Sequence, residues 1–221
     1  MKYTIKFSIL FFVLAFVFSC KPSGDKAETS EAGEVANAEG KTYAVQTGSS
    51  QIMWEASKVS GTHNGTVNID GGKLVMDDGK LTGGNFTIDM TTINVLDLEG
   101  DQKNNLEAHL KGTVDEKKTD FFNVREYPNA NFEMTKATQL LNNADANYII
   151  SGNLKLKDQT KQITFKAMVN ESNGTITATT PQFTIDRTEW GIKYGSATFF
   201  DGLKDNAIND EVGLRINLSA K

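Results

Sequence analysis

The chain has 221 residues, a net charge of −5 at neutral pH and a single cysteine. One cysteine excludes a disulfide bond within the chain. The acidic balance, with no run of Lys and Arg that could follow a phosphate backbone, argues against nucleic acid as a partner.

The N-terminus carries the pattern of an export signal. Lys2 and Lys6 are basic, and the apolar run Ile9–Phe18 is shorter than the roughly 20 residues that span a bilayer. Ser19 then stands directly before Cys20, which resembles the lipobox of bacterial lipoproteins. The resemblance implies cleavage after Ser19 and acylation of Cys20, with palmitate-type chains anchoring the protein in the bacterial envelope, on its periplasmic or surface face. The alternative is a plain signal peptide with an incidental cysteine.

The chain is predicted to contain three segments. Residues 1–19 form the signal peptide, residues 20–41 a flexible tether, and residues 42–221 one folded domain. The part of the tether from Lys21 to Lys41 has one valine and no aromatic residue. Such a composition buries too little apolar surface to offset the entropy lost on ordering, so this segment is expected to hold the domain off the membrane.

Alternating apolar and polar residues dominate the chain after residue 42. The alternation predicts about ten β-strands, each apolar on one face. Asp78-Gly79 and Asn173-Gly174 each separate two such runs, and these dipeptides favour tight hairpin turns. Many short antiparallel strands favour a closed barrel, which leaves no exposed sheet edges.

One stretch, Asp101–Gly112, breaks the alternation. Its residues are good helix formers, and Leu106, His109 and Leu110 have the spacing of one helix face. Gly112 is placed to end the helix. The predicted architecture is therefore an all-β, closed antiparallel barrel with one short helix.

Short motifs follow one another in a characteristic order between Tyr43 and Leu218. They are Trp54-Glu-Ala-Ser-Lys58, His63-Asn-Gly65, Gly84-Asn-Phe-Thr-Ile-Asp-Met-Thr-Thr-Ile93, Leu106-Glu-Ala-His-Leu-Lys111, Asp120-Phe-Phe-Asn-Val124, Tyr127-Pro128, Ala130-Asn-Phe132, Gly152-Asn-Leu-Lys-Leu156, Thr160-Lys161, Phe165, Phe183-Thr-Ile-Asp-Arg187, Trp190-Gly-Ile192 and Asp210-Glu-Val212. This ordered set resembles the YceI-like family of lipocalin-like barrels from the bacterial envelope.

The resemblance implies a barrel with a long apolar cavity that binds isoprenoid chains or similar amphiphiles, without catalysis and without a cofactor. The sequence departs from the family pattern in one link and at one single residue. The link Gly112–Thr119 is longer than expected, which could alter ligand choice if it lies at the cavity mouth. Asp158 stands where the family usually has glycine, and Asp tolerates turn conformations.

Inward-facing apolar residues of the alternating strands are the candidate ligand-lining residues. Alternation alone does not distinguish a hollow barrel from a filled one. A filled barrel would favour an interaction module that binds an envelope partner through loops such as Gly112–Thr119. A hydrolase has no support, since no Gly-x-Ser-x-Gly motif occurs. The candidate lining residues are Trp54, Phe86, Ile88, Met90, Phe132, Met134, Leu154, Leu156, Ile163 and Phe165.

Two polar residues are candidate anchors for a ligand head group, Arg187 and His109. Arg187 alternates with Phe183 and Ile185 and is therefore expected to face the apolar side, where its charge needs a partner. An ion pair with Asp89 or Asp186 is the favoured interpretation, and a head-group anchor is the alternative. His109 is expected to bond backbone or a strand carboxylate near the short helix.

No metal site is expected. The two histidines, His63 and His109, could form one only by converging with Asp89 or Asp120, and their spacing matches no metal motif. His63 is expected in a turn instead. Trp54 and Trp190 could each line the cavity or close its base.

Overall fold

The computed structural model describes residues 22–221 of the protein. The predicted signal peptide and lipidation site, residues 1–19 and Cys20, lie outside the described residues. Within the described range, no helix is both long and apolar enough to cross a bilayer.

Residues 22–221 form twelve β-strands and one α-helix. The strands are β1 (Asp25–Lys26), β2 (Glu28–Glu31), β3 (Lys41–Ala44), β4 (Gln51–Lys58), β5 (Gly61–Asp77), β6 (Lys80–Val95), β7 (Asn129–Gln139), β8 (Tyr148–Leu156), β9 (Gln159–Ser172), β10 (Thr175–Thr179), β11 (Phe183–Asp186) and β12 (Ile208–Ala220), and the helix is α1 (Gly100–Lys111).

The wall is a closed antiparallel barrel, as predicted. Strands β4 to β10 pair with their neighbours in sequence order, β10 pairs with β12, and β12 pairs with β4 to close the ring. Eight strands thus form the ring: β4, β5, β6, β7, β8, β9, β10 and β12. Closure pairs the edges that an open sheet would expose, except along the part of β9 that β10 does not reach.

Local sequence signals fall where they were predicted. Asp78-Gly79 joins β5 to β6 and Asn173-Gly174 joins β9 to β10. All four residues have positive φ, as tight hairpin turns require. Helix α1 ends at Gly112, whose φ of 67° is left-handed. We call the barrel end with these two turns the hairpin end, and the opposite end, which carries α1, the helix end.

The hairpin half of the barrel has a filled core. Inward side chains from neighbouring strands are buried there and pack into one cluster. Tyr148 also accepts a hydrogen bond from the Leu81 amide at 3.1 Å through its hydroxyl oxygen. The residues of this filled half include Tyr43, Leu74, Met76, Leu81, Met134, Tyr148, Ile150, Ala167, Ile176 and Leu218.

The segment expected to be a flexible tether is ordered against the barrel throughout its described part. We call residues 22–40 the strap. Within it, β1 pairs in parallel with β11, and β2 pairs antiparallel with β9. Ala27, between these two strands, is only 4% exposed and joins the core cluster. The expectation was wrong because composition reports side-chain burial, whereas this segment is ordered by backbone bonds to free strand edges.

The rest of the strap crosses the outside of the barrel. The Asn153 side chain both accepts a hydrogen bond from the Gly33 amide (2.9 Å) and donates one to the Gly33 carbonyl (2.8 Å). Farther along, the Ala36 amide bonds the Met134 carbonyl at 3.0 Å, and the Thr82 hydroxyl bonds the Glu39 carbonyl at 2.9 Å. The strap then continues into β3, which pairs with β5.

Candidate functional site

The helix half of the barrel encloses an apolar cavity. Its volume is about 150 Å³. Nine of the ten predicted lining residues border it. They are Trp54, Phe86, Ile88, Met90, Phe132, Leu154, Leu156, Ile163 and Phe165. The tenth prediction, Met134, was wrong in its placement: this side chain lies in the filled hairpin half, because the hollow does not extend that far along β7.

Two sides of the cavity differ in packing. On one side, Phe86 stacks on Phe132 with ring centroids 5.0 Å apart, Phe132 contacts Phe165 at 5.7 Å, and Phe165 stacks on Phe183 at 4.7 Å. On the other side, inward residues of β4 and β12 are only half-buried because the hollow lies against them. These residues are Trp54, Ala56, Val212 and Leu214.

The hollow lies at the helix end because the wall is wider there. At the hairpin end, β10 alone fills the space between β9 and β12. Toward the helix end, this space holds two strands, β11 against β12 and the strap strand between β11 and β9. Because barrel diameter grows with strand number, this additional strand in the wall widens the interior at the helix end.

The sequence did not single out several residues that border the cavity. Ala56 of β4, Phe183 and Ile185 of β11, and Val212 and Leu214 of β12 all face it. Their alternation was visible in the sequence, but it did not show at which level of the barrel they lie. The helix end contributes Leu110 of α1 and three residues outside the strands and α1, namely Phe121, Phe122 and Ile192.

Arg187 borders the cavity, but its guanidinium donates hydrogen bonds to backbone carbonyls of the protein. Its side chain is 5% exposed. Nε bonds the Asn209 carbonyl at 3.1 Å, Nη1 the Ile192 carbonyl at 2.7 Å, and Nη2 the Ile208 carbonyl at 3.2 Å. Nη2 also donates to Oδ1 of Asp210 at 3.5 Å, so four of the five guanidinium protons are engaged.

The sequence predicted an ion pair of Arg187 with Asp89 or Asp186, and both partners were wrong. The carboxylate that contacts it is Asp210, whereas Asp186 accepts bonds from the amide and hydroxyl of Thr188, and Asp89 accepts bonds from Thr91. Burial lowers the pKa of Arg187, and the charges of Asp210 and Asp186 oppose that change. The group stays cationic because an arginine begins far above neutral pH.

His109 lies where α1 meets the cavity. Its Nε2 is 2.8 Å from the Asp120 carboxylate, so the partner is a carboxylate near the helix, but it lies in a turn and not on a strand as expected. Its ring contacts Phe121 and Tyr194 edge-on, with centroids 5.0 Å apart in both pairs. Phe121 lines the cavity and Tyr194 is exposed, so this cluster connects the hollow to the surface. The long link Gly112–Thr119 directly precedes this cluster, at the helix end.

The remaining candidates have structural partners. His63 lies in β5 rather than in the expected turn, because the strand begins at Gly61, and its Nδ1 is 2.7 Å from the Asp97 carboxylate. Across residues 22–221, no three His, Cys, Asp or Glu side chains are grouped as a metal site would require. Trp190 is fully buried and donates to the Leu154 carbonyl at 3.0 Å, whereas Trp54 lines the cavity.

The closed antiparallel barrel, filled at one end and hollow at the other, defines a lipocalin-like protein with an internal apolar cavity. The chain belongs to the YceI-like family, because residues 43–220 match its characteristic domain. No curated protein matches the chain significantly.

Two solved structures share the fold. BcnA of Burkholderia cenocepacia superposes with a TM-score of 0.60 at 19% identity, covering 80% of this chain and 99% of BcnA. A polyisoprenoid binding domain from Saccharophagus degradans, implicated in plant cell wall breakdown, superposes with a TM-score of 0.56 at 14% identity, covering 85% of this chain and 99% of that domain. At these identities the likeness concerns the fold alone.

Proposed function

We propose that the protein binds the chain of a long amphiphile, of isoprenoid or fatty acyl type, in its cavity. The observation that carries the proposal is the apolar hollow in an otherwise filled barrel. At about 24 cal/mol per Å³ of cavity, an empty hollow of about 150 Å³ costs roughly 4 kcal/mol of stability. A cost of this size is a large part of the stability of an ordinary domain. A ligand that occupies the hollow offsets it.

The lining favours a hydrocarbon over a polar ligand. Arg187 is the one charged residue among the described lining residues, and its guanidinium is engaged by protein carbonyls. The lining therefore offers a ligand apolar contact, worth about 0.8 kcal/mol for each buried CH₂ group. We propose that the polar head group of the ligand lies at the helix end, near His109 and Tyr194, because this cluster connects the cavity to the surface. The relative described as a polyisoprenoid binding domain supports this ligand class.

The proposed role is sequestration or transport rather than catalysis. The described cavity lining contains no hydroxyl, thiol, carboxylate or imidazole group that could act as a nucleophile or a general base. The lipobox-like sequence before Cys20 supports attachment to an envelope membrane, from which such a ligand could be drawn.

Ligand binding is tested with purified protein carrying Cys20→Ser. After delipidation, the protein should bind fluorescent farnesol or fluorescent hexadecanoic acid with a dissociation constant of about 1 µM or lower, which corresponds to roughly 8 kcal/mol. Fluorescence titration measures the affinity, and mass spectrometry of organic extracts identifies any co-purified chain. If the protein co-purifies with no lipid and binds neither fluorescent lipid, the result would favour the alternative function, an interaction module that binds its partner through loops.

Membrane attachment is tested separately with Cys20→Ser in cells. Acyl chains hold a protein stably on a membrane only when two or more are present, and all of them would be attached at this residue. The variant should leave the membrane fraction or accumulate unprocessed, while the parent remains membrane-bound. Normal processing with unchanged fractionation of the variant would show that Cys20 is not the anchor.

A further inference from the structure

The barrel wall has a seam between β9 and β11. In the described chain these two strands pair with the strap and not with each other: β11 pairs with β1, and β9 pairs with β2. Behind the strap, Phe165 of β9 and Phe183 of β11 stack on each other across the seam, and both line the cavity. The strap is therefore the only strand between this part of the cavity and the outside.

The backbone pairing that closes the seam is short. β1 has two residues and β2 has four, and the Ala27 amide adds one bond to the Thr184 carbonyl at 2.8 Å. The side chain inserted toward the core is an alanine, which contributes little apolar area. On the other side of β9, the pairing with β8 extends over nine residue pairs.

Side-chain contacts at the seam are weak as well. Asp25 pairs with Lys166 at 2.8 Å and Glu31 with Lys161 at 2.6 Å, but Asp25 and Glu31 are largely exposed, so water and salt weaken both pairs. Among the described residues, four buried side-chain polar atoms lack a hydrogen-bond partner, and three lie at the strap. They are Thr29 Oγ1, Gln182 Nε2 and Thr184 Oγ1. Unsatisfied buried groups of this kind disfavour the closed state.

We propose that the seam is the lateral route by which the ligand chain reaches the cavity, with β1 and β2 as its removable strand. This inference rests on the proposed function. Strands are spaced by about 4.8 Å, so lifting one strand leaves β9 and β11 roughly 10 Å apart. A hydrocarbon chain contacts its neighbours at about 3.5–4.0 Å and fits such a slot once the stacked rings of Phe165 and Phe183 behind the strap turn aside. Lifting the strap also frees volume beside a cavity smaller than the roughly 300 Å³ of most ligand sites.

The position of the strap's first residue is consistent with access from a membrane. Pro22 is buried against the outer wall at Gly213, beside the seam. Two residues span at most about 7 Å, so acyl chains on Cys20 would enter a bilayer close to this wall. The seam would then open next to the membrane, without a long tether between them.

A disulfide that locks the strap tests the proposal. Ser30 of β2 and Gln162 of β9 are Cα partners whose side-chain polar atoms are 3.4 Å apart. Ser30→Cys with Gln162→Cys is introduced into the full chain carrying Cys20→Ser. The oxidised protein should take up and release fluorescent farnesol about tenfold more slowly, or more slowly still, than after reduction, with the same equilibrium affinity.

The matched control places the same lock elsewhere on the wall. Gln51 of β4 and Asn68 of β5 are also Cα partners with side-chain polar atoms 3.4 Å apart. Oxidation of Gln51→Cys with Asn68→Cys should leave both rates unchanged. Equal rates for the oxidised and reduced strap lock would overturn the lateral route and leave ligand binding intact. Absence of binding in both redox states would instead overturn the proposed function, and the lateral route with it.

Discussion

Replacing Ala56 with phenylalanine is expected to abolish ligand binding while changing stability little. Ala56 lies on β4, faces the cavity and is only half-buried, because the hollow lies beside it. A phenyl ring there enters existing space and gains contact with apolar neighbours such as Val212 and Leu214. It also takes the volume that a hydrocarbon chain would use. Affinity for fluorescent farnesol should fall by about 100-fold, which corresponds to roughly 2.7 kcal/mol of lost contact.

Ala167→Phe is the matched control for this substitution. Ala167 is also an inward alanine on a barrel strand, but it is 2% exposed and lies in the filled hairpin half. The same ring should overpack that core and cost about 1–3 kcal/mol or more. Thermal melting of the two delipidated variants measures the difference. Equal destabilisation of Ala56→Phe and Ala167→Phe would show that the helix half is not hollow in solution.

Replacing Arg187 with alanine should cost about 3–5 kcal/mol of stability, which is the range for removing one partner of a buried charged network. The loss follows from the carbonyls of Ile192, Ile208 and Asn209, which Arg187 joins at the helix end. Without the guanidinium these acceptors lose their bonds, and Asp210 loses its cation. Denaturation with urea measures the change in the free energy of unfolding.

Arg215→Ala provides the control for the loss of a positive charge. Arg215 lies on the same strand as Asp210 but is exposed, so its removal should change stability by no more than about 0.5 kcal/mol. The comparison separates a structural brace from a ligand anchor. An Arg187→Ala variant as stable as Arg215→Ala, yet defective in binding, would make Arg187 the head-group anchor instead.

Much of the barrel could be predicted from neighbouring residues. Alternation specifies which side chains share a strand face, and the turns at Asp78-Gly79 and Asn173-Gly174 need residues that accept positive φ. The C-terminus of α1 could also be predicted from neighbouring residues, because Gly112 accepts the positive φ that ends the helix. Nine of ten predicted lining residues border the cavity because facing inward is a property of the alternation alone.

The partners of individual polar groups could not be predicted in this way. Arg187 faces the interior, as the alternation indicated. Its hydrogen bonds go to the backbone carbonyls of residues 192, 208 and 209 and to the Asp210 carboxylate. Ile192 is five residues from Arg187, but the other three groups belong to the start of β12 and meet Arg187 only because β12 pairs with β11. Alternation indicates which way a side chain points and carries no information on which distant group it meets.

The sequence by itself determined the strands, the turns, the helix, the barrel and the family resemblance, because each depends on local periodicity or an ordered set of motifs. Only the tertiary structure decided that the barrel is hollow at one end and that the strap closes its seam. Both depend on how many strands occupy each level of the wall. The strap is held by backbone edges of β9 and β11, which lie more than a hundred residues away in the chain. Backbone bonding of this kind leaves almost no trace in side-chain composition.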